Sequence, residues 1–599
     1  MKKQIFTLAL FSALASPGAS LAGNIYVSPN GDDAAKGTVS EPLKTVEAAL
    51  KQAREWRRLG SAEAEGGIDI IMSGGVYSID KPIFIRPEDS GTPESPTVIR
   101  GAEGEEAVIS GGISVTGWRK AADDPRLPAA ARGKVWVADA PVLGNKIVYA
   151  RQLYADGRKA VRATQFDGPY AMERMKAFSP SDESITIPTP ETDLSKAGQL
   201  EMIVHQRWAI AILRVREMKD LGGGLTKVWF HQPESQLEFA HPWPQPVIDG
   251  ERGSSSFCLV NALELLDQPG EWYQDYPSGR IYYYPEDGRR PDMMQVTVPA
   301  LEQLVEIGGT RERQVSGIRF DNISFQYASW TRPSHEGHVT LQGGFRLIDA
   351  YKLEKPGLPH KAELENQAWI ARPEAAVAAQ FATGIAFTEC SFSHVGASAL
   401  DFRYAVSSSE ITSCTFEDIG GTAIMAGSFG EGGFETHIPY SPAIPTDLCH
   451  GLTISKCRIN DAANEDWGCA AVSAGYVSGI TIDQNEVSNV NYSGICVGWG
   501  WTAKESGMRD NRITGNYVHD YAKMLYDAGG VYTLSNQPGS VISGNRLSLP
   551  ADAPYATNSR AFCVYFDEAT DGFTVEGNDM PKPLFGYNRP GPALIVKDK

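Results

Sequence analysis

The sequence predicts an all-β protein: a right-handed parallel β-helix with an N-terminal capping helix and an inserted antiparallel β-domain. Three observations lead there. A short segment alternating apolar and polar residues returns repeatedly after residue 317, with no helical period between the copies. One small polar position keeps its place in each copy. The composition suits short strands and many turns, with 60 Gly, 37 Pro, 23 Tyr and 22 Phe among 599 residues.

Taken from the N-terminus, the first element is a targeting segment. Lys2 and Lys3 precede an apolar run from Ile5 to Leu14, and Ser20-Leu21-Ala22 offers small residues for cleavage after Ala22. That run is too short to span a bilayer, which takes about 20 residues. Residues 1–22 are therefore expected to be a signal peptide. The protein is expected to be exported, periplasmic or secreted, with no membrane span. Residues 23–117 form a cap and the first coils. NIYVS (24–28) alternates as a strand, and Val46, Leu50, Ala53 and Leu59 lie at helical spacing. A solenoid needs such a cap, because its end coil exposes apolar core and strand edges. IDIIMSGGVY (68–77), KPIFI (81–85), PTVIRG (96–101) and AVISGG (107–112) read as coils. Residues 118–300 break the pattern, with turns at Asp156-Gly157 and Pro277-Ser278-Gly279 between longer strands. They are expected to form an inserted β-rich domain that leaves near Trp118 and returns near Leu301.

The main helix occupies 301–599. GIRFDNISF (317–325) is followed by GIAFTECSF (384–392), EITSCTF (410–416), GLTISKCRI (451–459), GITIDQNEV (479–487), NRITGNYV (511–518), SVISGNRL (540–547) and GFTVEGNDM (572–580). The recurring small polar position holds Asn322, Cys390, Cys414, Cys457, Asn485, Asn516, Asn545 and Asn578. Parallel strands stack about 4.8 Å apart, so equivalent residues form a ladder. An Asn there bonds the neighbouring coil, and Cys fills the same slot as a small hydrophobe. An antiparallel sandwich is the alternative, but it calls for shorter strand spacing. From Cys390 on, the widest step, Cys414 to Cys457, contains a loop at 427–448.

Lys and Arg number 55 against 73 Asp and Glu, a formal charge of −18. This argues against a nucleic-acid partner, which needs a cationic face. None of the eight Cys lie at CxxC spacing, so a zinc ribbon or redox pair is not expected. Several fall on the ladder and read as buried thiols. No metal motif appears and no GxGxxG opens a helix, so no cofactor is expected. Oligomeric state is not readable.

A β-helix is filled by its own side chains, so a site belongs on an outer face walled by long turns. Acids and aromatics gather in the late coils around CAAVSAG (469–475), GICVGWGW (494–501), GGVYTLS (529–535) and FCVYFDE (562–568). Asp466, Trp467, Trp499, Trp501, His519, Asp527, Tyr532, Asp567 and Glu568 belong to this set. An aromatic ring stacks on the apolar face of a sugar, and glycosidic cleavage usually needs two carboxyl groups. Trp499 and Trp501 are two apart, so they are expected on the same side of a strand, with at least one lining the groove. Arg403 either binds a substrate carboxylate or sulfate or pairs with Asp401 or Glu431. His437, in the 427–448 loop, either closes the groove or is plain loop. His519 either faces the groove or serves a turn.

Asp527-Ala528-Gly529-Gly530-Val531-Tyr532-Thr533-Leu534 and Val564-Tyr565-Phe566-Asp567-Glu568 resemble paired signatures of glycoside hydrolase family 141. IYVSPNGDD at the start, RQLYADGRKAVRAT (151–164) and the run Gly494 to Trp501 are similar to the same family. The resemblance extends over nearly the whole chain beyond residue 22. It implies an exported β-helix α-L-fucosidase, xylanase activity being the family's other property, with a catalytic aspartate pair carried onto Asp527 and Asp567. In the strand alignment these two lie in columns more than about 10 Å apart. They meet only if the segment 527–530 folds over its strand, which two glycines permit.

The sequence reading is thus an exported glycoside hydrolase acting on a polysaccharide or an oligosaccharide derived from one, α-L-fucosidase first and xylanase or another glycosidase second. A β-eliminating polysaccharide lyase and a non-catalytic carbohydrate-binding β-helix remain the other classes.

Overall fold

A computed structural model describes residues 22–598 apart from 123, 169–170, 242, 287, 352–366 and 433–434. The expected signal peptide, but for Ala22, lies outside the described residues.

The chain winds as a right-handed parallel β-helix. Among the described residues, twelve strands stack in sheet 1, nine in sheet 2 and ten in sheet 3, with a narrower five-stranded sheet closing the turn back to sheet 1. One coil shows the pattern: Ala386–Thr388 in sheet 1, Ser391–Val395 in sheet 2, Ser398–Phe402 in sheet 3, then Val406–Ser407. Apolar residues face inward and stack on their equivalents. Phe325, Phe392 and Phe416 form one such column, with ring centroids 4.9 and 4.8 Å apart. The helix α1 (Val46–Leu59) covers the first coil, with Val46, Ala49, Leu50 and Ala53 buried. Its N-terminus is capped by Thr45 and its C-terminus by Gly60 at φ 62°.

The Asn ladder is present. Asn485 Nδ2 donates to Asn516 Oδ1 at 2.9 Å, Asn516 to Asn545 at 2.9 Å and Asn545 to Asn578 at 2.8 Å. Cys390, Cys414 and Cys457 continue the column as buried thiols, and all eight cysteines are free. Asn322 is a correction. Strand pairing sets Asp321 against Thr388 and Ser324 against Ser391, so Ile323 holds the ladder slot. Asn322 instead takes the preceding left-handed bend, φ 52°, equivalent to Glu389. Asn tolerates that bend as readily as it fits the ladder, so residue type alone does not separate the two positions.

Residues 317–580 are not an unbroken run of coils, another correction. After Ile323–Ala328 the chain leaves the helix and returns only at Ala375–Gln380. The excursion, His338–Gln342, Phe345–Tyr351 and Gln367–Ala371, pairs with the earlier insertion through Ala211↔Val339 and Ile212↔His338. The earlier insertion begins to pair at Gly112–Ser114, ahead of Trp118, and the chain rejoins sheet 3 at Val305–Gly308. The two insertions share one antiparallel sheet. Both leave at the corner between sheets 2 and 3, and the same corner is lengthened in late coils at 463–471, 519–527 and 548–560. Sheet 3 therefore carries walls on its outer face. No helix of the described residues is long and apolar enough to cross a membrane.

Candidate active site

Strand pairing on sheet 3 aligns one outward column: Asp401, Met425, Ser473, Cys496, Tyr532, Tyr565 and Gly586. Over Met425 the insertions press down, and Phe345, Phe429 and Trp499 cluster there. Past Cys496 the column reaches Tyr532 and Tyr565, which meet edge to face with centroids 5.2 Å apart.

These tyrosines solve the separation of the two aspartates. Tyr565 donates its hydroxyl to Asp527 Oδ1 at 2.9 Å, and Tyr532 donates to Asp567 Oδ2. Each acid is held by the tyrosine of the adjacent coil. Asp527 reaches over the sheet because its backbone is left-handed, φ 60°, at the turn into Ala528–Thr533. Its N–H donates to the Arg560 carbonyl, and its own carbonyl accepts from Tyr492 at 3.0 Å. Asp567 also accepts from Asn588 Nδ2 at 2.6 Å, and Gln342 Nε2 from the second insertion donates to the Tyr532 hydroxyl at 3.0 Å.

The two carboxyl groups are electrostatically joined. Burial raises Asp527 to about 6; the Arg560 guanidinium opposes this and the Asp567 charge adds to it. Arg560 Nε lies 3.1 Å from Asp527 Oδ1, and its Nη2 donates to the Tyr565 hydroxyl at 2.6 Å. The site therefore offers one carboxyl that holds its proton into the mildly acidic range, and a second oriented by two donors. That combination suits proton transfer to a leaving oxygen.

The remaining expected residues divide. Trp501 packs against the cluster of Tyr532, Leu534 and Tyr565 at the edge of the site, 5.2 Å between ring centroids from His437. His437 is buried and bonded to Glu435 at 2.6 Å, so it supports that wall. Glu568 follows Asp567 in the turn and its carbonyl accepts the Ser535 N–H at 3.2 Å.

Trp499 is a correction. Only 3% exposed, it donates its indole N–H to Thr436 at 3.0 Å and packs on Phe345 and Phe429. The strand stops at Val497, and Gly498 and Gly500, φ 112° and 94°, bend the chain; the two indoles still lie side by side, ring centroids 4.9 Å apart, with Trp499 on the buried side. Asp466 is buried beneath the second insertion, where His338 Nε2 lies 2.7 Å away, and Trp467 joins the main core. His519 lies at the end of a sheet 2 strand, stacked on Tyr517 and beside Asp520 and Glu486, away from sheet 3. Arg403 pairs with Asp401, four strand steps or roughly 19 Å from Tyr532. Tyr565, Asn588, Arg560 and Gln342 are contacts the acid pair alone does not disclose. The Tyr532–Tyr565 repeat carried a signal for the first; Gln342 comes from an insertion that has none.

Residues 133–286 match the GH141 insertion domain, and residues 442–579 match the right-handed β-helix region. A solved structure described as a glycoside hydrolase is 41% identical, covers 96% of both chains and superposes with a TM-score of 0.91. The complex of XylC with xylose aligns at 13% identity and a TM-score of 0.47 over 93% of this chain and 70% of that one. Pectate lyase PEL9 of Emericella nidulans is 39% identical over 93 residues, 16% of this chain, and the match spans 20% of that lyase. The end-to-end match defines the class as a glycoside hydrolase. With the family's own insertion domain in place, the chain belongs to the GH141-like glycoside hydrolases.

Proposed function

We propose that the protein is an exported α-L-fucosidase acting on polysaccharide-derived glycans through Asp527 and Asp567. The observation that carries the reading is the reciprocal grip of Tyr565 on Asp527 and of Tyr532 on Asp567, on adjacent coils at the open end of the sheet 3 column. The fucose preference rests on the family resemblance of the two segments that hold the acids.

Asp527 is the general acid. It gives its proton to the glycosidic oxygen as the bond to the anomeric carbon breaks, and the aglycone leaves as an alcohol. Asp567 either takes a proton from the attacking water or attacks the anomeric carbon itself, the carboxyl separation in the complex deciding which. Trp501 offers an aromatic wall beside them. An acid that must be protonated loses function as pH rises through its pKa, so kcat/KM is expected to fall above about pH 6.

The test is hydrolysis of 4-nitrophenyl α-L-fucoside and of defined fucosylated oligosaccharides. Asp527→Asn and Asp567→Asn are each expected to lose about 10²-fold or more in kcat, with folding intact. Near-full activity in either variant overturns the pair. Cleavage of other glycosides with none of fucosides overturns the sugar assignment. A product absorbing in the ultraviolet from a uronic-acid polymer identifies a lyase, the class of the PEL9 segment match.

A further inference from the structure

We propose that Arg207 and Trp243 of the inserted domain form a subsite beside Asp527 that receives an anionic substituent, carboxylate or sulfate, on the sugar next to the one cleaved. The inference deepens the hydrolase reading and rests on Asp527 marking the cleaved bond.

Arg207 and Trp208 form the tight turn between the strands Glu201–Gln206 and Ala209–Gly222. Three bonds fix this turn to its surroundings. The Arg207 carbonyl accepts the N–H of Tyr526, the residue before Asp527, at 3.1 Å. His205 Nε2 lies 2.7 Å from the Met524 carbonyl, and Trp208 donates its indole N–H to Leu341 O at 2.9 Å. The insertion thus delivers Arg207 to the catalytic coil in a set position.

The guanidinium lies over the Trp243 ring, 5.3 Å from its centroid. Trp243 is 46% exposed, so its ring is open to solvent beside the guanidinium. Its loop is held by His241, whose Nδ1 accepts the Trp243 N–H at 3.3 Å and whose carbonyl accepts Gln245 Nε2 at 3.0 Å. His241 in turn feels the charges of His437 and Glu435.

Arg207 has no ion pair among the described residues, and its Nε is buried without a hydrogen-bond partner. In a chain with 73 acids to 55 bases this calls for a reason. Asp527 already has its cation in Arg560. The charged and titratable groups that face Asp527 include Arg560, Arg207, Asp567 and Tyr565, with Tyr492 and Tyr526 feeling its charge as well. A second cation there pulls the proton off a general acid, which works against catalysis. An anion bound at Arg207 cancels that pull and leaves the acid protonated when the right substrate is in place. A guanidinium stacked on an indole is also well made for a carboxylate or sulfate on a sugar whose ring contacts the aromatic face.

The test uses three matched substrates: α-L-fucosyl-galactose, α-L-fucosyl-galacturonic acid and α-L-fucosyl-galactose 6-sulfate. Wild type is expected to favour one or both charged substrates by about 10-fold or more in kcat/KM, the scale of one charge-assisted hydrogen bond. Which charged arm wins identifies the anion. Arg207→Gln is expected to bring the charged-to-neutral ratio close to 1, and Arg207→Lys to restore part of it. The alkaline limb of kcat is expected at higher pH for the charged substrate than for the neutral one in wild type, and at the same pH in Arg207→Gln. No charge preference in wild type, or an equal loss on all three substrates in Arg207→Gln, overturns the proposal. If wild type cleaves none of them, the fucosidase reading fails. Calorimetric titration with galacturonic acid and with galactose 6-sulfate then decides the subsite alone: binding lost in Arg207→Gln sustains it, and no binding to wild type overturns it.

Discussion

At the scale of single residues, the site depends on how two like charges are kept close without either being lost. Arg560 contacts Asp527 directly and lowers its proton affinity, while burial and Asp567 raise it. Removing the guanidinium takes away the largest lowering influence and leaves the Tyr565 hydrogen bond and Arg207 to oppose burial and Asp567. Arg560→Gln is therefore expected to move the alkaline limb of kcat/KM upward from about pH 6, and a pH–rate profile checks this. An unchanged limb, or one moved downward, assigns that limb to another group. The acids and Tyr532 were legible in the sequence because they sit within short, recognisable segments. Their mutual geometry was not, since it runs through tyrosine hydroxyls pointing along the sheet in opposite directions. Trp499 was misplaced for a local reason. A Cβ on Gly500 would lie 1.9 Å from the Tyr476 hydroxyl, so these glycines serve a close approach and a bend rather than a strand. His519 and Arg403 carry suitable chemistry, but one lies on sheet 2 and the other several coils away.

At the scale of elements, the ladder ties each coil to the next. Asn516 accepts from the backbone N–H and the side chain of Asn485, at 3.0 and 2.9 Å, and donates to the Ile482 carbonyl and to Asn545. Deleting it strands buried donors on Asn485. Asn516→Ala is expected to destabilise the protein by about 2–4 kcal/mol, well above an ordinary surface change, as measured by denaturant unfolding. A loss below about 0.5 kcal/mol would mean that the coils are held by their apolar stacks alone. The repeat made these strands readable, since each copy restates the same pattern. It also hid an error of one residue at Asn322, because the bend and the ladder are adjacent and both accept Asn. The second insertion was not legible: its first strand finds its outside partner in Ala209–Gly222, more than a hundred positions away, and none of its strands carries a repeat to announce it.

At the scale of the whole molecule, a regular solenoid has been opened at one corner to carry a second sheet, and two buried acids of the insertion respond to burial in opposite senses. Glu201 sits between Arg151 and Arg162; burial alone would raise it, but the two cations outweigh that and bring it to about 2. Its contribution to stability is present above the ordinary value of 4.5 and is lost only as pH falls toward 2. Glu238, in the helix α2 (Glu234–Ala240) that packs behind the Arg207 turn, behaves in the opposite sense. It is buried, its one hydrogen-bond donor among the described residues is Gln206 Nε2 at 2.5 Å, and burial raises it to about 8. The folded protein then holds a proton that the unfolded chain releases above pH 4.5, so stability declines as pH rises from 4.5 to 8. The accumulated loss at pH 8 is up to roughly 4 kcal/mol. Glu238→Gln keeps the size and the acceptor for Gln206 while removing the titration. It is expected to raise the apparent midpoint of thermal unfolding by several degrees at pH 8 and to leave it nearly unchanged at pH 4.5, as scanning calorimetry at the two pH values checks. An equal shift at both pH values would trace the effect to packing. No shift at either would mean that Glu238 is ionised in the folded protein, with a compensating charge or water beside it.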